Sequence, residues 1–210
     1  MKKSMFIGLL GMFFLLTLLF NSCTSTKIIS SWANPSGQFG QYQKVLVIGL
    51  MGSKDRELRE EIENSMVRIL SSHGINAGSA YAEYGPKAFD GLNEKEAIKK
   101  IRDKGYDGTF TVALLDRKKQ RTYYGPSVGY YPQTYRFWGH YRTLYARIYE
   151  PGYYTVSTNF MLEANFYKLG SDELLYSLQT KTSAPNSPQS LATEFSEVLI
   201  NDMRSKGLVK

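Results

Sequence analysis

The chain has one cysteine, two histidines and two tryptophans in 210 residues. A single thiol excludes an internal disulfide, so the fold must hold by packing even in an oxidising compartment. His73 and His140 have no ligand-type residue three or four places on, which leaves little for a metal site. The turn Gly49-Leu50-Met51-Gly52-Ser53 lacks the G-x-G-x-x-G spacing, and Lys54 stands one place too late for a Walker lysine. It reads as a tight strand-to-helix connection, and no cofactor is expected. Carboxylates are missing altogether between Arg117 and Tyr149. Beyond the first 22 residues there is no apolar run long enough to cross a bilayer.

That first stretch has the layout of an export signal. Lys2 and Lys3 precede a run from Met5 to Phe20 broken only by Gly8, Gly11 and Thr17. The run ends at Asn21-Ser22-Cys23, and a lone cysteine behind a small residue resembles the bacterial lipobox. The resemblance implies acylation of Cys23, removal of residues 1–22 and permanent attachment through two or three acyl chains. Thr24, where Asp would retain the protein at the inner membrane, implies the outer membrane, facing the periplasm. The Ser-rich stretch 23–40, with Pro35, is expected to be a tether, and residues 41–210 a single α/β domain.

The formal charge of +7 falls to +5 without Lys2 and Lys3. Seven cations (Arg117, Lys118, Lys119, Arg121, Arg136, Arg142 and Arg147) lie between Arg117 and Tyr149, and subtracting them leaves −2. The basicity is local, and nucleic acid is not the expected partner of an exported chain.

The scaffold around that segment is regular. Val45–Leu50 is apolar on both faces, as in a central strand. Leu58, Ile62, Met66, Ile69 and Leu70 form the stripe of a helix from about Gly52 to His73, ended by Gly74. A second strand is expected near Asn76–Tyr84. Asn93 and Glu96 form the capping pair of a second helix that stops at Gly105. Thr109–Leu115 is the third strand. Tyr153–Lys168 alternates, with Tyr154, Val156, Phe160, Leu162, Ala164 and Phe166 on one face. Gly170-Ser171-Asp172 turns into a partner strand, Glu173–Thr182, and Ser187-Pro188 starts a last helix, with Leu191, Phe195, Val198, Leu199 and Met203 inward, that ends at Gly207. The order β-α-β-α-β, insert 117–152, β-β-α predicts an α/β sandwich with a mixed sheet.

This order is similar to the N-terminal domain of TolB and to the periplasmic domain of the curli-secretion lipoprotein. A closer resemblance is to uncharacterised lipoproteins of Bacteroidota and Proteobacteria. It rests on Cys23-Thr-Ser-Thr-Lys27, Ser31-Trp32, Lys44–Leu50, Glu150–Tyr154, Glu163–Tyr167 and Gly207-Leu208. It implies the lipoprotein and the fold but no activity. Tyr176 stands where the group is expected to carry Trp.

Gly125-Pro126-Ser127-Val128-Gly129 matches the G-x-S-x-G nucleophile elbow of α/β-hydrolases, which needs a strand-to-helix turn. Pro126 before Ser127 and the Tyr130-Tyr131-Pro132 that follows disfavour it, so catalysis is not expected. A serine hydrolase using Ser127 is the alternative from another class, and a subunit of an envelope secretion or assembly complex is a further one. Ten of the 16 tyrosines lie between Tyr123 and Tyr154. Tyr130, Tyr131, Tyr135, Arg136, Trp138, Arg142 and Arg147 are the candidate binding residues, since aromatics and arginine dominate interface hot spots. The insert is expected to be a lid on the sheet, a recognition surface for an envelope protein, a glycan or a second copy, or a membrane contact. Barrel-wall hairpins are disfavoured by Pro126, Pro132 and Pro151 and by the basic residues from Arg121 to Arg147.

Overall fold

In a computed structural model the described residues are 25–35, 42–124, 153–171 and 173–209. Six strands form one mixed sheet: β1 (Thr26–Ala33), β2 (Val45–Leu50), β3 (Ala77–Ser79), β4 (Gly108–Tyr124), β5 (Tyr153–Lys168) and β6 (Glu173–Ser183). Their spatial order is β1-β6-β5-β4-β2-β3, with β2 parallel to β3 and β4 and the other pairs antiparallel.

The helices are α1 (Arg56–Ser72), α2 (Ala80–Tyr84), α3 (Glu94–Arg102) and α4 (Pro188–Ser205). α1 and α4 cover one sheet face. Their apolar stripes, Leu58, Ile62, Met66 and Leu70 on α1 and Leu191, Phe195, Leu199 and Met203 on α4, meet Val45, Val47, Phe110, Val112, Leu162, Ala164 and Phe166. A smaller cluster of Leu46, Ala80, Ile101, Tyr106 and Leu169 closes the other face near β2. The mixed α/β sandwich expected from the sequence is therefore present.

The local signals act as expected. Asn93 and Ser187 both cap helices reciprocally with the residue three places on. Gly74 leaves α1 at φ 77°, a conformation that is strained for side chains other than glycine.

Four expectations need correction. The strand expected over 76–84 is only Ala77–Ser79, because Ser79 caps the helical turn Ala80–Tyr84 by accepting from the Ala82 N–H. On α4, Val198 is half-buried and Ile200 lies in the core, one place from the expected stripe. Part of the stretch 23–40 expected to be a tether is strand β1, antiparallel to β6. Two of its polar side chains, Thr26 and Ser31, bond to α4. Glu194 accepts from the Ser25 N–H at 3.0 Å, Ser25 Oγ at 2.9 Å and Thr26 Oγ1 at 3.1 Å, while Asp202 accepts from Ser31 Oγ at 2.5 Å. Finally, the insert expected from Arg117 begins as regular β4, paired residue by residue with β5 as far as Tyr124 and Tyr153.

Candidate functional site

β4 and β5 outrun their neighbours. β2 ends at Leu50 opposite Ala113, and β6 ends at Ser183 opposite Asn159. Past those points the two strands continue alone as an antiparallel arm, Lys119–Tyr124 against Tyr153–Thr158. A bulge between Leu114 and Asp116 marks the departure and leaves Leu115 exposed, and such bulges bend and twist a strand.

A lone two-stranded ribbon is marginal in water, and this one is fastened at its root. Arg117 sits 2.5 Å from Asp55 at the start of α1, and its guanidinium carbon lies 4.9 Å over the Phe160 ring. Asn159 donates to Gln120 across the ladder at 3.1 Å. A cleft of about 340 Å³ opens beside this root, lined by Lys54, Asp55, Arg117, Lys119, Phe160 and Pro188.

Alternation sorts the arm into two faces. Arg117, Lys119, Arg121, Val156, Thr158 and Phe160 share the face continuous with the α1/α4 side, and Lys118, Gln120, Thr122, Thr155, Ser157 and Asn159 share the other. Asp55 and Asp116 pair with Arg117 and Lys118. Lys119 and Arg121 are exposed and have no carboxylate partner among the described residues.

Two further polar clusters are structural. Glu63 of α1 is fully buried, and it accepts from the Gly49 N–H at 2.8 Å, Ser79 Oγ at 2.6 Å, the Tyr81 N–H at 2.6 Å and Arg59 Nε at 3.1 Å. It ties β2, β3 and α2 to α1. A Cβ at position 49 would meet Arg59 Cγ at 2.7 Å, so this packing requires Gly49. The sequence signal for Glu63 was slight: it neighbours Ile62 on the apolar stripe but looks like one more helix-surface acid.

In the second cluster Tyr106 donates to Glu83, flanked by Lys104 at 3.3 Å and Lys44 at 3.6 Å. Burial raises the Glu83 carboxyl, but the Tyr106 hydroxyl, Lys104 and Lys44 outweigh it and hold the group below the usual carboxylate range. Burial, then Glu83, pushes the Tyr106 hydroxyl well above its ordinary value. Tyr176 is raised in the same way by burial and by Asp202, to which it donates at 2.8 Å. This contact suits Tyr rather than Trp at that position.

Cys23, Ser127, Tyr130, Tyr131, Tyr135, Arg136, Trp138, His140, Arg142 and Arg147 lie outside the described residues. His73 ends α1 with Nδ1 2.9 Å from the Ile69 carbonyl oxygen, as a helix-terminal histidine does. Among the described residues no His, Cys, Asp or Glu group is placed to hold a metal, and no helix is long and apolar enough to cross a membrane.

The chain matches no protein-family model and no curated protein. Among solved structures it is similar to the PelC dodecamer from Paraburkholderia phytofirmans, at 12% identity over 83% of this chain and 94% of that one, with a TM-score of 0.46. It is also similar to a lipoprotein from Neisseria meningitidis, at 14% identity over 77% of this chain and 98% of that one, with a TM-score of 0.43.

Proposed function

We propose that this chain is a non-catalytic, lipid-anchored lipoprotein of the outer membrane, facing the periplasm, and that it serves as a binding or assembly module. Its working part is the β4–β5 arm together with the Tyr- and Arg-rich residues 125–152 that the arm carries. The observation behind this reading is the arm itself. Two strands continue past the sheet, bear cations instead of core residues and bracket the segment that holds Arg136, Trp138, Arg142 and Arg147. Beyond Lys118 and Asn159 the ladder contributes no described residue to the buried core, so its ordering points to a role outside the fold. The partner is an envelope protein, a glycan or a second copy of the chain.

The test is charge reversal at Arg136, Arg142 and Arg147, followed by crosslinking in cells. Loss of crosslinked partners or of the oligomer, with the protein still anchored, supports the proposal. An unchanged set of partners and an unchanged oligomeric state would sink it. Labelling of the mature protein by a fluorophosphonate probe, abolished by Ser127→Ala, would instead establish a serine hydrolase.

A further inference from the structure

The register fixes where the chain's beginning lies relative to the arm. Thr26 pairs with Thr182, Thr182 with Phe160, and Phe160 with Arg117. β1 therefore starts in the row from which the arm departs, and the arm continues away from the sheet on that same side. Cys23 is three residues before Thr26, so its Cα is at most about 11 Å from that row. The arm extends seven residues beyond it, to Tyr124, or about 23 Å at roughly 3.3 Å per residue. A chain held to a membrane at Cys23 has an arm longer than its leash.

The same end of the sheet carries several cations that have no carboxylate partner among the described residues. Lys27 and Lys181 face each other directly across β1 and β6, both exposed, next to the Thr26–Thr182 pair. Like charges in opposed positions repel, and an anion placed between them would remove that repulsion. Lys119 and Arg121 lie further out on the arm. α1 and α4 both begin at this end, since they follow the ends of β2 and β6 there, and their N-termini add positive dipole ends. Neither arm face over 117–122 and 155–160 is an apolar band, so the arm suits the headgroup layer rather than the hydrocarbon.

We propose that this end of the domain is its membrane-contacting end, with Lys27, Lys181, Lys119 and Arg121 binding anionic lipid headgroups. The domain then stands with its strands steep to the bilayer, the arm touching the surface and the β5–β6 turn remote from it. The inference rests on acylation of Cys23, and the following experiment distinguishes failure of the orientation from failure of the anchor.

Once Cys23 is acylated, a cysteine introduced by Thr155→Cys or Ser171→Cys is the single free thiol. Each full-length variant is labelled with a fluorophore and reconstituted into phosphatidylethanolamine–phosphatidylglycerol vesicles carrying a headgroup nitroxide. Flotation and the intact mass report anchoring. The label at 155 is expected to be quenched several-fold more than the label at 171. Lys119→Glu with Arg121→Glu should reduce that difference at least about twofold, each cation near an anionic surface being worth about fivefold in binding. Equal quenching on protein that floats and carries acyl mass would overturn the orientation and leave the anchor standing. A protein without acyl mass that fails to float would overturn both.

Discussion

Thr26 and Thr182 face each other across β1 and β6 with their hydroxyl oxygens 2.7 Å apart, and Glu194 of α4 accepts a further bond from Thr26 at 3.1 Å. This pair sets the level at which the chain joins the sheet. It puts the start of the first strand at the end from which the arm departs. Glu194→Ala removes an acceptor shared by Ser25 and Thr26. It should cost about 1–3 kcal/mol in urea unfolding, and the amides of 26–30 should exchange faster than those of β5.

Glu63 is a more demanding node. Glu63→Ala strands a buried Arg59 stem and three donors, and should destabilise the domain by about 3–5 kcal/mol in a denaturant titration. Glu63→Gln keeps one acceptor and should cost less.

Gly49→Ala tests the same neighbourhood from the strand side. Its methyl would meet Arg59 Cγ, which should cost about 1–3 kcal/mol. Combining it with Arg59→Ala should recover part of that loss, since the clashing atom is gone. Additive losses would mean that the steric reading of Gly49 is wrong.

Stability should fall at both pH extremes for named reasons. Glu83 is held below the ordinary carboxylate value, so its contribution is present above the unfolded value and lost as pH falls through the folded one. Tyr106 and Tyr176 are raised, so their contribution is complete below about pH 10 and is lost as pH climbs beyond it, by up to about 1.4 kcal/mol per pH unit each. Urea midpoints measured across pH should show both limbs, and Tyr106→Phe should make the alkaline limb shallower.

Arg117→Ala removes the Asp55 ion pair and the contact with Phe160 at the arm's root. Arg117 is itself exposed, so global stability should change by less than about 1 kcal/mol. Hydrogen exchange in 118–122 and 155–159 should nevertheless quicken, while that in 108–113 stays unchanged.

The parts of the fold legible in sequence were those with local or periodic signals. β5 announced itself because both of its faces repeat over 16 residues, and Asn93, Ser187 and Gly74 act within a few residues of themselves. β1 was hidden because its apolar residues Ile28, Ile29 and Trp32 do not alternate and are exposed, and because it pairs on one side only. What holds it is Glu194 and Asp202, about 170 residues away in the chain. The arm was hidden by its charge: Arg117, Lys119 and Arg121 alternate as strand residues do, but no core needs them. Val156 continues the apolar face of β5, yet it is exposed because the helices stop short of the arm. The binding residues proposed from sequence, Tyr130 to Arg147, all lie between Tyr124 and Tyr153, outside the described residues.

The most direct test of the arm as the contacting element is photo-crosslinking in living cells, with a photoreactive residue at position 120 on the arm or at position 171 in the β5–β6 turn. The expected result is lipid and envelope-protein adducts from position 120 and none above background from position 171. Equal adducts from both positions, or adducts from position 171 alone, would contradict it.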